Sequence, residues 1–176
     1  MRTYTHFLLL FCLWLLPAAD SLAQPYTLRH LGVEDGLSNN YVRDIAQDRQ
    51  GCIWIATELG LNRFDGCNFT TYKSNNTGLS SDALNVLLYD ETENLLWISG
   101  KFKGICALDC STYRFRSYGE AEGANIDNVV HLSHAANEGI WITMHHGDIV
   151  YYDKRSQTFT SLSDKGIKSL NTSNWC

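Results

Sequence analysis

The sequence predicts an all-β fold of β-propeller blades: about three four-stranded antiparallel blades plus the start of a fourth, an incomplete propeller. Three observations predict it. Four sub-motifs recur three times in the same order, with Trp54, Trp97 and Trp141 spaced by 43 and 44 residues and Asp65, Asp109 and Asp153 by 44 and 44. Each unit holds four short apolar or β-branched runs separated by turn residues, with no sustained helical period. The run that carries the tryptophan is apolar on both faces, with Ile53 and Ile55 on one and Trp54 and Ala56 on the other, which suits a sheet sandwiched between two neighbours. A β-sandwich, the rival all-β architecture, has no reason to repeat a motif at a fixed period.

The chain opens on an address. Arg2 gives a positive start, residues 7–16 form an unbroken apolar run, Pro17 ends it, and Ser21 and Ala23 place small residues before Gln24. This is a secretory signal peptide over residues 1–23 with cleavage after Ala23. The run is shorter than the roughly 20 apolar residues that cross a bilayer. Bulky Leu9, Leu10 and Phe11 before Cys12 disfavour a lipoprotein signal. The mature chain, residues 24–176, is expected to be exported.

The repeats follow, at about 37–77, 78–122 and 123–162, with a partial unit at 163–176. In the first, strands are expected at 42–45, 52–57, 60–65 and 69–72; in the second at 84–87, 95–99, 104–109 and 115–118; in the third at 129–132, 140–143, 148–153 and 159–162. Tight turns are expected at 48–51 and 137–139, where glycine can adopt positive φ. In the last unit only residues 167–170 match a first strand, and Trp175 falls too early for the next tryptophan run. Since closure takes about four to eight blades, the expectation is an N-terminal part of a longer protein or the product of a truncated gene, folding poorly in isolation.

Composition narrows the function. The 176 residues are 44% hydrophobic and 19% charged, with 14 basic against 19 acidic side chains and a formal charge of −5, so no basic face for nucleic acid is expected. Five cysteines remain after the signal peptide, Cys52, Cys67, Cys106, Cys110 and Cys176; the odd count leaves at least one unpaired, and the pairing of the others stays open. There is no CxxC pair, no kinase phosphoacceptor context and no Gly-rich nucleotide loop, and no cofactor is expected.

The stretches Gly36-Leu-Ser-Asn-Asn40, Gln47-Asp48-Arg-Gln-Gly51, Trp54-Ile-Ala-Thr57 and Gly60-Leu-Asn-Arg-Phe-Asp65-Gly66 resemble the two-component regulator propeller repeat, as found at the start of periplasmic sensors of Bacteroidetes-type hybrid two-component systems. The resemblance covers roughly residues 26–170; the second and third units depart from the pattern at Ser99-Gly100 and at Asp148, which stands where the repeat glycine belongs. It implies a periplasmic, non-catalytic sensing segment whose full-length relatives are histidine kinases anchored in the inner membrane. The partners implied are an oligosaccharide ligand, downstream propeller and signalling modules, and a homodimer of the full-length protein. The competing expectations are a truncated or degraded gene product without independent function, an exported propeller hydrolase or lyase acting on polysaccharide, and a module that completes its ring from several chains.

Side chains divide accordingly. Trp54, Trp97 and Trp141 are expected to fill the space between blades, and Asp65, Asp109 and Asp153 to cap the turn after the third strand. Asp44, Asp48, Glu58 and Asp65 show no spacing that specifies an acid–base pair for glycoside cleavage, so no catalytic residue is expected. His131, His134, His145 and His146 are the one histidine cluster, read as solvated rather than metal-binding. In a propeller the turns between strands 2 and 3 share a rim with the links between blades. That rim collects Asn40, Tyr41, Glu58, Asp82, Lys101, Phe102, Asp127, Asn128, His145 and His146, a mixture of amides, charges and rings suited to sugar hydroxyls and C–H faces.

Overall fold

The structure, a computed structural model, describes residues 28–136 and 139–163. The signal peptide, Asn137 and Glu138 of the expected second turn, and the partial fourth unit from residue 164, with Trp175 and Cys176, lie outside the described residues. Two units divide the chain at His30 and Leu31; of the first, only the exposed residues 28–30 are described.

The second unit begins with a 3-10 turn, Val33–Asp35, closed by Gly36 at φ 110°. Twelve strands follow: β1 Val42–Gln47, β2 Ile53–Thr57, β3 Gly60–Phe64, β4 Phe69–Tyr72, β5 Leu84–Asp90, β6 Leu95–Gly100, β7 Ile105–Asp109, β8 Arg114–Tyr118, β9 Val129–His134, β10 Ile140–Met144, β11 Ile149–Asp153 and β12 Thr158–Ser161. They pair in sequence order as three four-stranded antiparallel sheets, β1 to β4, β5 to β8 and β9 to β12. These are the three expected blades, with the expected strands displaced by a few residues at their ends. The first strands stand side by side, β5 between β1 and β9. The Leu87 amide N–H donates to Asp44 Oδ2 at 2.8 Å, joining β5 to β1. The His134 Nε2 meets the Tyr89 carbonyl at 3.1 Å, joining β9 to β5.

Burial explains why the tryptophan strand tolerates apolar side chains on both faces. Trp54, Ala56 and Leu61 of the first blade pack against Leu87, Leu96, Ile98 and Leu108 of the second. From the other face of that blade, Trp97, Ile105 and Tyr118 pack against Val129, Leu132, Ile140 and Ile142 of the third. The middle blade is therefore covered twice, and β6 is buried from Leu96 through Gly100. In β2 and β10 burial alternates, because each has one blade beside it among the described residues. Trp141 alternates with buried Ile140 and Ile142 and rests on the Tyr151 ring at 4.8 Å, on the face turned away from the second blade.

The repeat aspartates act alike. Asp65 Oδ1 accepts from the Cys67 and Asn68 amides, Asp109 Oδ1 from Ser111 and Thr112, and Asp153 Oδ1 from Arg155 and Ser156. Backbone N–H donors favour the ionised carboxylate and hold all three below the usual aspartate range.

The repeat glycine has a steric cause. At Gly60 (φ 133°) an added Cβ would lie 2.9 Å from the Tyr72 carbonyl oxygen, and at Gly104 (φ 91°) it would overlap that of Tyr118. Strand 4 ends directly over this position. In the third blade the left-handed residue is Gly147, at φ 85°, one position before the repeat site, and Asp148 at that site carries a side chain. We expect Gly104→Ala to cost about 1–3 kcal/mol, through positive φ and the carbonyl overlap together, measured as a shift in urea midpoint at unchanged slope. A loss under a few tenths of a kcal/mol would show that β8 can move aside.

Candidate functional site

Four backbone bonds build the rim. Gly60 N–H donates to the Asp82 carbonyl at 2.9 Å, Lys101 to Ala83 at 2.8 Å, Gly104 to Ile126 at 2.7 Å and His145 to Asn128 at 3.0 Å. Each turn between strands 2 and 3 is thereby tied to a link between blades. Each first strand also carries a bulge at its rim end: the ladder skips Arg43 between Val42 and Asp44, Asn85 between Leu84 and Val86, and Val130 between Val129 and His131. A bulged residue leaves the ladder and re-aims its side chain, so the bulges and turns contribute equivalent positions from every blade.

The ten expected rim residues fall into three sets. Tyr41, Glu58 and Lys101 come together with Arg43, which the sequence reading did not single out. Arg43 lies 4.9 Å over the Tyr41 ring and binds Glu58 Oε1 through Nε at 2.9 Å and through Nη2; Lys101 Nζ reaches Glu58 Oε2 at 3.0 Å. Glu58 thus bridges the first blade to the second. The bonds from Arg43 and then Lys101 hold its carboxyl below the usual range, and Glu58 in turn raises Arg43.

Asn128, His145 and His146 form the second set, around an open cleft of about 350 Å³ that also involves Asn85, Val129 and Val130. The two imidazoles meet edge to face at 5.7 Å, and Asn128 holds a left-handed backbone at φ 44°. The remaining four serve the scaffold or stand apart. Asn40 Oδ1 accepts from Val33 N–H, Asp82 Oδ1 from Ser74 N–H, and Phe102 packs against the core between the first two blades. Asp127 is exposed, and its amide N–H faces Met144 Sδ at 3.3 Å.

The other candidates are dispersed. Asp44 takes the Ile45 and Leu87 amides, Asp48 the Trp54 indole, and Asp65 its turn amides, so these carboxylates and Glu58 each serve a local bond. Register separates the histidines: Val129 pairs with Met144 at the rim end of β9, and His134 pairs with Ile140 at the other. Among the described residues no three His, Cys, Asp or Glu side chains are grouped to hold a metal, and Cys52, Cys67, Cys106 and Cys110 are free thiols. Sequence reasoning missed Arg43 and Asn85. Their signal was available only as a polar side chain at one offset in strand 1 of two repeats, and a bulge leaves no mark in composition.

Known proteins share these features. Residues 36–58 match the two component regulator propeller family. The extracellular domain of a hybrid two-component system of B. thetaiotaomicron is 36% identical over 77% of this chain, with a TM-score of 0.69, and the chain spans 20% of it. A second such domain from the same organism, 21% identical over 79% of the chain and spanned to 20%, shares the fold at a TM-score of 0.62. Histidine kinase P4 of Formosa agariphila is 51% identical over 41 residues, 23% of this chain and 3% of the kinase. The chain therefore spans about a fifth of these solved relatives and a small part of the kinase. No helix among the described residues is long and apolar enough to cross a membrane. Three blades built on the repeat tryptophan and aspartate, a match over residues 36–58 of the first, and this identity to a hybrid-system extracellular domain make the chain similar to two component regulator propeller proteins.

Proposed function

We propose that these blades belong to the sensing, extracellular portion of a hybrid two-component signalling protein, exported to the periplasm by residues 1–23, and that their rim binds an oligosaccharide without converting it. The observation that carries this reading is the open rim, where two asparagines, two valines and two histidines line a cleft of about 350 Å³ and the exposed Tyr41 ring stands apart from it at the first blade. Aromatic faces and amide pairs suit a ligand with apolar C–H faces and many hydroxyls. The rim carboxylate Glu58 is held ionised between two cations, which suits binding better than proton transfer. Occupancy of the rim acts on downstream modules by shifting the packing between blades.

The test is calorimetry of the exported protein against a panel of oligosaccharides, with the sugar recovered and analysed afterwards. Binding is expected, with the glycan intact. Tyr41→Ala and His145→Ala should each weaken it about tenfold, an aromatic contact's worth, with melting temperature unchanged. Turnover of a glycan would replace this reading by the hydrolase, and absence of binding across the panel would end it.

A further inference from the structure

We propose that the rim is selective for an acidic saccharide, whose uronate or sulfate group docks against Arg43 and Lys101. The inference rests on the oligosaccharide-binding reading above and names the ligand class. Its starting point is the imbalance at the junction of the first two blades. In a chain of net charge −5, a guanidinium and an ammonium converge there on a single carboxylate, two cations sharing one paired anion.

Donor counting turns the imbalance into chemistry. Both oxygens of Glu58 are engaged, Oε1 by Arg43 and Oε2 by Lys101. The two cations keep donors to spare: a guanidinium offers five N–H groups and an ammonium three, and neither offers an acceptor. Their side chains remain 39% and 60% exposed. A neutral sugar needs acceptors for its hydroxyl protons as well as donors, and both oxygens of the cluster's one carboxylate are already taken. A carboxylate or sulfate ester needs donors alone, and arginine presents them as a planar fork.

Position supports the same ligand. Arg43 occupies the bulge, a conformation that takes its side chain out of the strand ladder and toward the rim. Glu58 fixes one edge of its guanidinium and the Tyr41 ring lies beneath it, so the fork is ordered before any ligand arrives. Tyr41 itself is 63% exposed, which leaves ring surface for a pyranose joined to the acidic group. Lys101 follows Gly100 at the end of β6, in the turn equivalent to that of Glu58, and so faces the same rim from the next blade.

The experiment is titration calorimetry of the full exported protein with three probes of equal length: an oligogalacturonate, a sulfated chondroitin oligosaccharide and an uncharged malto-oligosaccharide. Binding is expected for an acidic probe, weakening as salt is raised to about 0.5 M; the probe that binds distinguishes carboxylate from sulfate. Arg43→Gln and Lys101→Gln should each lose tenfold or more while the unliganded melting temperature holds. Arg43→Lys, which keeps the charge and loses the fork, should fall between. Glu58→Gln should retain or tighten binding, because it removes the competing carboxylate. Equal binding of the neutral probe, or acidic binding unchanged in Arg43→Gln and Lys101→Gln, overturns this inference and leaves the sensing reading intact. A loss of binding confined to Glu58→Gln also overturns it, by making the cluster a clamp between blades. No binding by any probe ends both.

Discussion

Lys154→Met is expected to destabilise the protein by about 3–5 kcal/mol at neutral pH, the usual cost of stranding one member of a buried ion pair. Lys154 lies in the turn between β11 and β12, and its ammonium enters the second blade to pair with Asp90 at the end of β5; the two side chains are 8% and 1% exposed. Thr92 completes the site, donating to Asp90 Oδ1 through its amide and hydroxyl and accepting from Lys154 Nζ at 3.1 Å. Burial pushes the Asp90 carboxyl up, but the bonds from Lys154 and Thr92 outweigh it and leave the group below its ordinary value. A lowered folded pKa means a contribution that is complete above the unfolded value of about 3.9 and is lost as pH falls through the folded one.

Without the lysine, burial dominates and the folded pKa moves above the unfolded one. The sign then reverses: the folded state binds the proton more tightly, and stability falls as pH rises between the two values. Lys154→Met should therefore melt higher near pH 4.5 than near pH 7, opposite to the parent's loss in acid. Glu91 and His134 line the same cleft of about 290 Å³, so parent and variant are compared at each pH. The double change Asp90→Leu with Lys154→Met should recover most of the loss, since apolar replacement of a buried pair is often neutral or better. A loss below about 1 kcal/mol, with parallel pH profiles, would make the pair equivalent to a surface bridge.

That pair also marks the limit of what the sequence discloses. The tryptophans and aspartates are legible because each blade solves the same packing problem, so their period survives in the residues themselves. Strand existence was legible for the same reason: the apolar runs expected at 42–45 and 84–87 are the cores of β1 and β5, and the structure extends them to Gln47 and Asp90. The contacts between blades are not periodic. Asp48 and Asp90 both close the turn before the tryptophan strand, yet one accepts from its own blade's indole and the other from a lysine of the next blade, 64 residues on. The rim is half legible. Glu58 and Lys101 are placed by the turn that the repeat predicts, whereas Arg43 joins them through a bulge that no composition signal announces.

The same asymmetry sets the second large effect. Trp54→Ala removes a fully buried indole packed beside Tyr72 and Tyr113 at 5.7 and 6.5 Å, between the first two blades. The expected cost is about 3–5 kcal/mol for the cavity. It rises because Trp54 Nε1 donates to Asp48 Oδ2 at 2.9 Å, and Asp48 is 5% exposed, so truncation leaves a buried carboxylate oxygen without its donor. Trp97 fills the equivalent space between the second and third blades, against Tyr118 and Tyr152 at 5.6 and 5.0 Å, yet its buried Nε1 has no hydrogen-bond partner among the described residues. Phenylalanine separates the two contributions. Trp54→Phe loses volume and a hydrogen bond, whereas Trp97→Phe loses similar volume and relieves an unsatisfied donor. Urea unfolding followed by circular dichroism should therefore rank Trp54→Phe below Trp97→Phe by about 1–3 kcal/mol, the cost of leaving one buried polar group unpaired. Equal losses would mean that water reaches Asp48 once the indole is gone, and the buried hydrogen bond would then add nothing to the hold of the first blade on the second.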